Sequence, residues 1–120
     1  MNILKHQRFF SSIQKKLPLQ GYKVIDASRI LVGSLSTLML AEMGADVIKI
    51  EQRVKGDDIR HWGPPFLETK EDNNIKDSTY YMCLNRNKQS LTLDLKHPLG
   101  KKVVQDLIRK SDVFVQNFPP

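Results

Sequence analysis

Few residues of this chain have the type and spacing to do chemistry, and most of the suggestive ones lie in or beside one stretch. The segment GDDIRHWGPPF, Gly56 to Phe66, holds two adjacent acids, an arginine, the single tryptophan and a double proline. Pro64 and Pro65 lack backbone donors, and Gly56 and Gly63 loosen the chain, so the stretch reads as an ordered loop. A bulky aromatic beside charge in such a loop marks a site element; a tryptophan capping the core is the competing reading. Asp57 and Asp58 have the composition of an acid/base pair, although neighbouring carboxylates on a loop are more often solvated or bonded to nearby amides. Glu51 ends a β-branched run, where an acid grips a ribose in dinucleotide sites. Yet the first turn, DASRILVGS, lacks G-x-G-x-x-G, no G-x-x-x-x-G-K-[ST] occurs, and Gly33 alone is a weak signal, so NAD is not expected. His6, His61 and His97 have no ligand spacing and Cys83 stands alone, so neither a metal centre nor an internal disulfide is expected.

The charge of +6 points to an anionic partner until it is located. Lys5, Arg8, Lys15 and Lys16 occupy the first twenty residues without a single acid; of the 19 basic and 13 acidic residues, this leaves 15 against 13 for the rest. The excess is a property of the tail, and no nucleic-acid footprint is expected. That tail, MNILKHQRFFSSIQKKLPLQ, is basic, acid-free and serine-containing with interleaved apolar residues, the composition of a mitochondrial transit peptide over about residues 1–18. It has no long apolar run, so neither a secretory signal nor a membrane span is expected, and the pattern RFFSS suggests cleavage near Phe10–Ser11. A basic N-terminus without a destination is the alternative.

The elements that must position these residues follow from periodicity. Tyr22 to Asp26 reads as a short strand. In LVGSLSTLMLAEMGADV, Val32, Leu35, Met39 and Met43 recur at helical spacing on one face, and Gly44 is placed to end that helix. Asp46 to Glu51 suits a buried parallel strand. A loop from Gln52 to about Thr79 follows, in which ETKEDNNIKDS reads as a solvated excursion. QSLTLDLK alternates, with Leu91, Leu93 and Leu95 on one side. Pro98 opens a helix with Leu99, Val103 and Leu107 as its stripe, and Asp112 to Asn117 is the last strand. This alternation predicts an α/β fold, an open, mostly parallel Rossmann-like sheet with flanking helices. Ligands bind beyond the carboxyl ends of such strands. The rim is therefore expected at Asp26–Gly33, Glu51–Gly56, Lys96 and Asn117–Phe118, with the GDDIRHWGPPF loop leaving from it.

Four ordered segments, GYKVIDASRILVGSLSTLMLAEMGADVIKIE, GDDIRHWGPPF, LNRNKQSLTLDLK and SDVFVQNF, resemble the N-terminal part of the class III coenzyme A transferases, the formyl-CoA and carnitine-CoA transferase type. The resemblance runs from about Leu19 to Pro120, as an incomplete part of that family's large domain. It implies coenzyme A or acyl-CoA as substrate, with Ile30, Leu31 and Val32 along the coenzyme, Leu93 and Lys96 at the end of the third strand, and Asn117 and Phe118 after the fourth. Gln52 stands where the family usually has an adenine-contacting arginine, with Arg53 one residue later. Trp62 would wall the acyl pocket. The family's nucleophilic aspartate is expected beyond residue 120, so no catalytic residue is assigned here and the chain is expected to be inactive alone. The resemblance further implies an interlocked homodimer, and, with the leader, exchange of coenzyme A between small dicarboxylic acids in the mitochondrial matrix, such as succinyl-CoA to glutarate or hydroxymethylglutarate. The alternatives are a 2-methylacyl-CoA racemase of the same fold and a non-catalytic nucleotide-binding module.

Overall fold

Short β-branched runs and apolar-polar helices alternate along the chain, and the computed structural model describes residues 16–68 and 76–119. In order they form β1 (Lys23–Asp26), α1 (Ile30–Glu42), β2 (Asp46–Gln52), a 3-10 turn (Asp58–His61), β3 (Phe66–Glu68), β4 (Lys76–Ser78), α2 (Thr79–Asn85), β5 (Lys88–Leu93), α3 (Pro98–Ile108) and β6 (Val113–Val115). Four strands make one sheet in the order β5-β2-β1-β6, every pairing parallel. Counted among the parallel strands alone this is third, second, first, fourth, the order of one half of a doubly wound sheet. All four carboxyl ends therefore share one edge, as the rim requires.

Alternate side chains of each strand face opposite layers. Val24 and Val47 pack with Ala41 and Ala45 under α1, with Leu19, Leu40 and Val115 around them. Ile25 and Ile50 pack with Val104 of α3, flanked by Leu91, Leu93, Leu95, Leu107 and Ile108. The predicted leucine face of the third strand is thus buried against α3. Leu17 lies against Gly44, and Leu19 N–H donates to the Met43 carbonyl, so residues 16–18 of the predicted leader fall within the described structure. Its residues 1–15 lie outside the described residues.

Neither α1 nor α3 turns inward the whole stripe its large apolar residues suggest, although Leu107 of α3 does pack on the sheet. Val32 and Met39 are 74% and 59% exposed, with Leu35 and Met43 also exposed, while α1 buries Gly33, Ser34, Thr37, Leu38 and Ala41. The cause is the strand face beneath, which carries Asp26, Lys49 and Lys88 and demands small residues and hydroxyls. A Cβ on Gly33 would lie 2.2 Å from Ser28 Cβ, a contact that only glycine permits. In α3, Leu99 and Val103 are exposed, and Gly100 and Val104 face the sheet. Here a Cβ on Gly100 would lie 2.0 Å from the Asp94 carbonyl oxygen. Gly44 ends α1 as expected, with φ at 99° and its N–H bonded to Ala41.

The long connection after β2 is more ordered than its composition suggests. Its two ends pair as the antiparallel hairpin β3-β4, with Phe66 opposite Ser78, and Ser78 then caps α2 by accepting from Tyr80 N–H. Residues 69–75 of the predicted excursion lie outside the described residues.

Candidate functional site: a cleft at the strand ends

Beneath α1 lies a layer of buried charge. Lys49, in the middle of β2 and 1% exposed, sits 2.8 Å from Asp57 Oδ2 and 3.9 Å from Asp26 Oδ2, and donates to the Ser28 carbonyl and Ser34 Oγ. Lys88 opens β5 and donates to Asp26, the Ser34 carbonyl, Thr37 Oγ1 and Asn85 Oδ1 at 2.8–3.1 Å. Asp26 in turn accepts from Ser28 and Thr37. Burial would raise the Asp26 carboxyl, but Lys49, the two hydroxyls and Lys88 outweigh it and hold it below its ordinary range. For Lys88 burial wins, drawing its ammonium below the usual lysine range despite Asp26. A charge taken out of water survives only with partners of this completeness. The layer fixes α1 and the turn before it to the sheet.

A second network ties the GDDIRHWGPPF loop to the end of β2. Glu51 accepts from Arg60 through both carboxylate oxygens at 2.7 and 2.8 Å, from Tyr81 Oη at 2.7 Å, from Ser90 Oγ at 2.6 Å and from Asp57 N–H at 3.0 Å. Arg60 also stacks 3.7 Å over the Tyr81 ring and reaches Asp77. Burial alone would raise the Glu51 carboxyl; the donors outweigh it and bring it to about 2. Burial and the adjacent carboxylate push the Tyr81 phenol upward, and the Glu51 hydrogen bonds raise Arg60. Glu51 is therefore fully engaged and is no ribose acceptor. The expected loop acids are also local: Asp57 accepts Ile59 and Ile30 N–H, and Asp58 pairs with Arg29 at 2.6 Å. His97 caps α3 through Leu99 N–H, and His61 contacts the Lys55 carbonyl.

At the carboxyl ends of the parallel strands opens a cleft of about 650 Å³. Ala27–Arg29 form one wall, Gln52–Val54 and Leu93–Lys96 another, and Phe118 closes one side. Of the residues expected at a coenzyme site, the structure brings Gln52, Arg53, Leu93, Lys96 and Phe118 together here. Ile30, Leu31 and Val32 are exposed in the first turn of α1, next to the Arg29 wall, and none of the three is among the lining residues. Asn117 reaches the rim, but its side chain is bonded to Arg29. Trp62, 45% exposed, leans on Tyr80 with ring centroids 5.8 Å apart and lines no part of this cleft. It is not a core cap either.

The sequence reading missed the two buried networks. Lys49 was the available signal, because a lysine at the centre of a doubly covered parallel strand must find acids. Arg60 and Tyr81 gave none, since twenty-one positions separate partners that only the folded loop joins.

A parallel sheet whose strand ends open on a part-apolar cleft lined by charges of both signs defines an α/β domain of the doubly wound kind. The model of CoA-transferase family III matches residues 19–120, and the chain belongs to that family. It is 45% identical over 103 residues to the succinyl-CoA:glutarate CoA-transferase of Homo sapiens, covering 86% of this chain and 22% of that protein. With the succinate–glutarate CoA-transferase of Agrobacterium fabrum it shares 47% over 104 residues, 87% of this chain and 26% of that one. The crystal structure of a CAIB/BAIF family protein from Brucella suis superposes with a TM-score of 0.79 at 38% identity, covering 87% of this chain and 26% of that one. The chain spans about a quarter of the length of the curated relatives it matches.

Proposed function

We propose that the complete protein carrying this chain is an enzyme that moves coenzyme A between small carboxylic acids, and that the cleft at the strand ends takes the coenzyme. The observation that carries this reading is the convergence of Gln52, Arg53, Leu93, Lys96 and Phe118 on one cleft in a chain of this family. Coenzyme A presents an adenine, anionic phosphates and a long pantetheine arm. Leu93 and Phe118 supply apolar surface for the arm, and Arg53 and Lys96 supply cations for phosphate. Gln52 offers an amide where the family resemblance implies an arginine, so adenine recognition here rests on Gln52 and Arg53 together.

The chemistry that goes with this site is acyl exchange through an anhydride. An aspartate carboxylate supplied by chain beyond residue 120 attacks the thioester carbonyl, the C–S bond breaks and the coenzyme leaves as thiolate. The thiolate attacks the aspartyl carbonyl of that anhydride and releases the donor acid, the acceptor carboxylate displaces the thiolate to give a second anhydride, and the thiolate attacks its acceptor carbonyl, forming the new thioester and freeing the aspartate. Names of the relatives support succinyl-CoA as donor and glutarate as acceptor. We extend the reading to hydroxymethylglutarate, to a homodimer and to the mitochondrial matrix, the last on the basic leader.

The test is an assay of the complete protein with succinyl-CoA and a panel of dicarboxylic acids, with hydroxylamine added to trap the anhydride. Transfer to at least one acid and a hydroxamate on the enzyme support the reading. Thioester hydrolysis without transfer to any acid overturns it.

A further inference from the structure

The turn between β1 and α1 holds a conformation that its residue type resists. Ile30 has φ at 65°, in the left-handed region that β-branched side chains rarely adopt. Two separate elements hold that peptide. Asn117, beyond β6, accepts Arg29 N–H at 2.8 Å and donates its Nδ2 to the Arg29 carbonyl at 2.8 Å. Asp57, from the loop after β2, accepts Ile30 N–H at 3.2 Å through Oδ1, while its Oδ2 lies against Lys49. Arg29 and Asp57 both line the cleft. Both ends of the Asn117 amide are thus engaged by backbone 88 positions away.

We propose that Asn117 and Asp57 are positioning residues: they clamp the Arg29–Ile30 peptide in its left-handed turn and so set the cleft wall that Ala27–Arg29 form. Asn117 acts through the turn. The kinetic part of the test rests on the coenzyme reading of the cleft; the exchange part does not.

The experiment compares the complete protein with its Asn117→Ala and Asp57→Ala variants. Asp57→Ala also takes the nearest carboxylate from a buried ammonium, so the exposed Asn117 carries the decision. In Asn117→Ala, amide hydrogen exchange at Arg29 and Ile30 is expected to rise about tenfold while the amides of β1 and β2 keep their rates. KM for succinyl-CoA is expected to rise about tenfold with kcat within about twofold. Unchanged exchange at Arg29 and Ile30 overturns the clamp. Exchange rising equally through β1 and β2 with kcat falling at constant KM, the mark of plain destabilisation, overturns it too, and faster exchange confined to Arg29 and Ile30 with an unchanged KM overturns the claim that the clamp sets the cleft wall. A wild-type protein without affinity for coenzyme A removes the coenzyme reading instead, and the exchange rates still decide the clamp.

Discussion

Glu51 shows how one residue's chemistry is reassigned by its neighbours. At the end of β2 it has the position of a ribose-binding acid, yet Arg60, Tyr81, Ser90 and the Asp57 amide take up both of its oxygens. Its carboxyl stands at about 2 in the folded protein, below the ordinary 4.5. A depressed acid contributes stability that is complete above its unfolded value and is lost as pH falls towards the folded one. Unfolding free energy measured by urea titration is therefore expected to fall by about 3 kcal/mol between pH 5 and pH 2 from this group. Arg60→Met removes the bidentate partner and leaves a buried carboxylate; it should cost about 3 kcal/mol at pH 7 and flatten that acid dependence. An Arg60→Met protein with the wild-type acid profile would show that Glu51 is not held by this pair. The sequence showed none of these partners: there Asp57 and Asp58 read as solvated or bonded to nearby amides, and Arg60 had no assigned partner.

At the scale of elements, the positions of α1 and α3 were legible and their orientation was not. Periodicity located both helices and Gly44 and Pro98 marked their ends, because backbone geometry is local. The inward face was misread because the strands beneath α1 present Asp26, Lys49 and Lys88, so the helix must offer Gly33, Ser34 and Thr37 to them. Two outcomes follow. Helix propensity alone favours Gly33→Ala by about 1 kcal/mol, but the contact with Ser28 Cβ reverses the sign, and a net loss of about 1–3 kcal/mol is expected in thermal or urea unfolding. In the 120-residue chain, Val32→Gln and Met39→Gln are expected to change stability by less than about 0.5 kcal/mol, since both side chains are exposed, and to raise solubility. A loss of about 2 kcal/mol from Met39→Gln would place that stripe in a core after all. The hairpin β3-β4 and α2 were missed because three-residue strands and a seven-residue helix are too short to carry a periodic signal.

Across the whole molecule, the carboxyl ends of the four parallel strands share one edge. Parallel pairing of all four main strands brings residues from Ala27 to Phe118 onto a single cleft. Lys96→Ala in the complete protein is expected to weaken coenzyme A binding several-fold, by about 1 kcal/mol, and to reduce the dependence of that affinity on salt; calorimetric titration at two ionic strengths measures both. Gln52→Arg is expected to tighten binding by a similar factor, and an unchanged affinity would separate Gln52 from the adenine end. The 120-residue chain alone is expected to transfer no coenzyme A between acids, and transfer by it would place the nucleophile among these residues.

By itself the sequence determined the four parallel strands with α1 and α3, because strand periodicity and turn residues are local properties of the chain, and its four ordered motifs carried the resemblance to the family. Only the tertiary structure decided which helix faces turn inward, that Glu51 and Asn117 are bound to protein groups, and that Trp62 stands apart from the cleft. Those outcomes depend on hydrogen-bonding and charge partners far away in sequence, and a buried polar group takes its role from whichever partners the fold brings within about 3 Å.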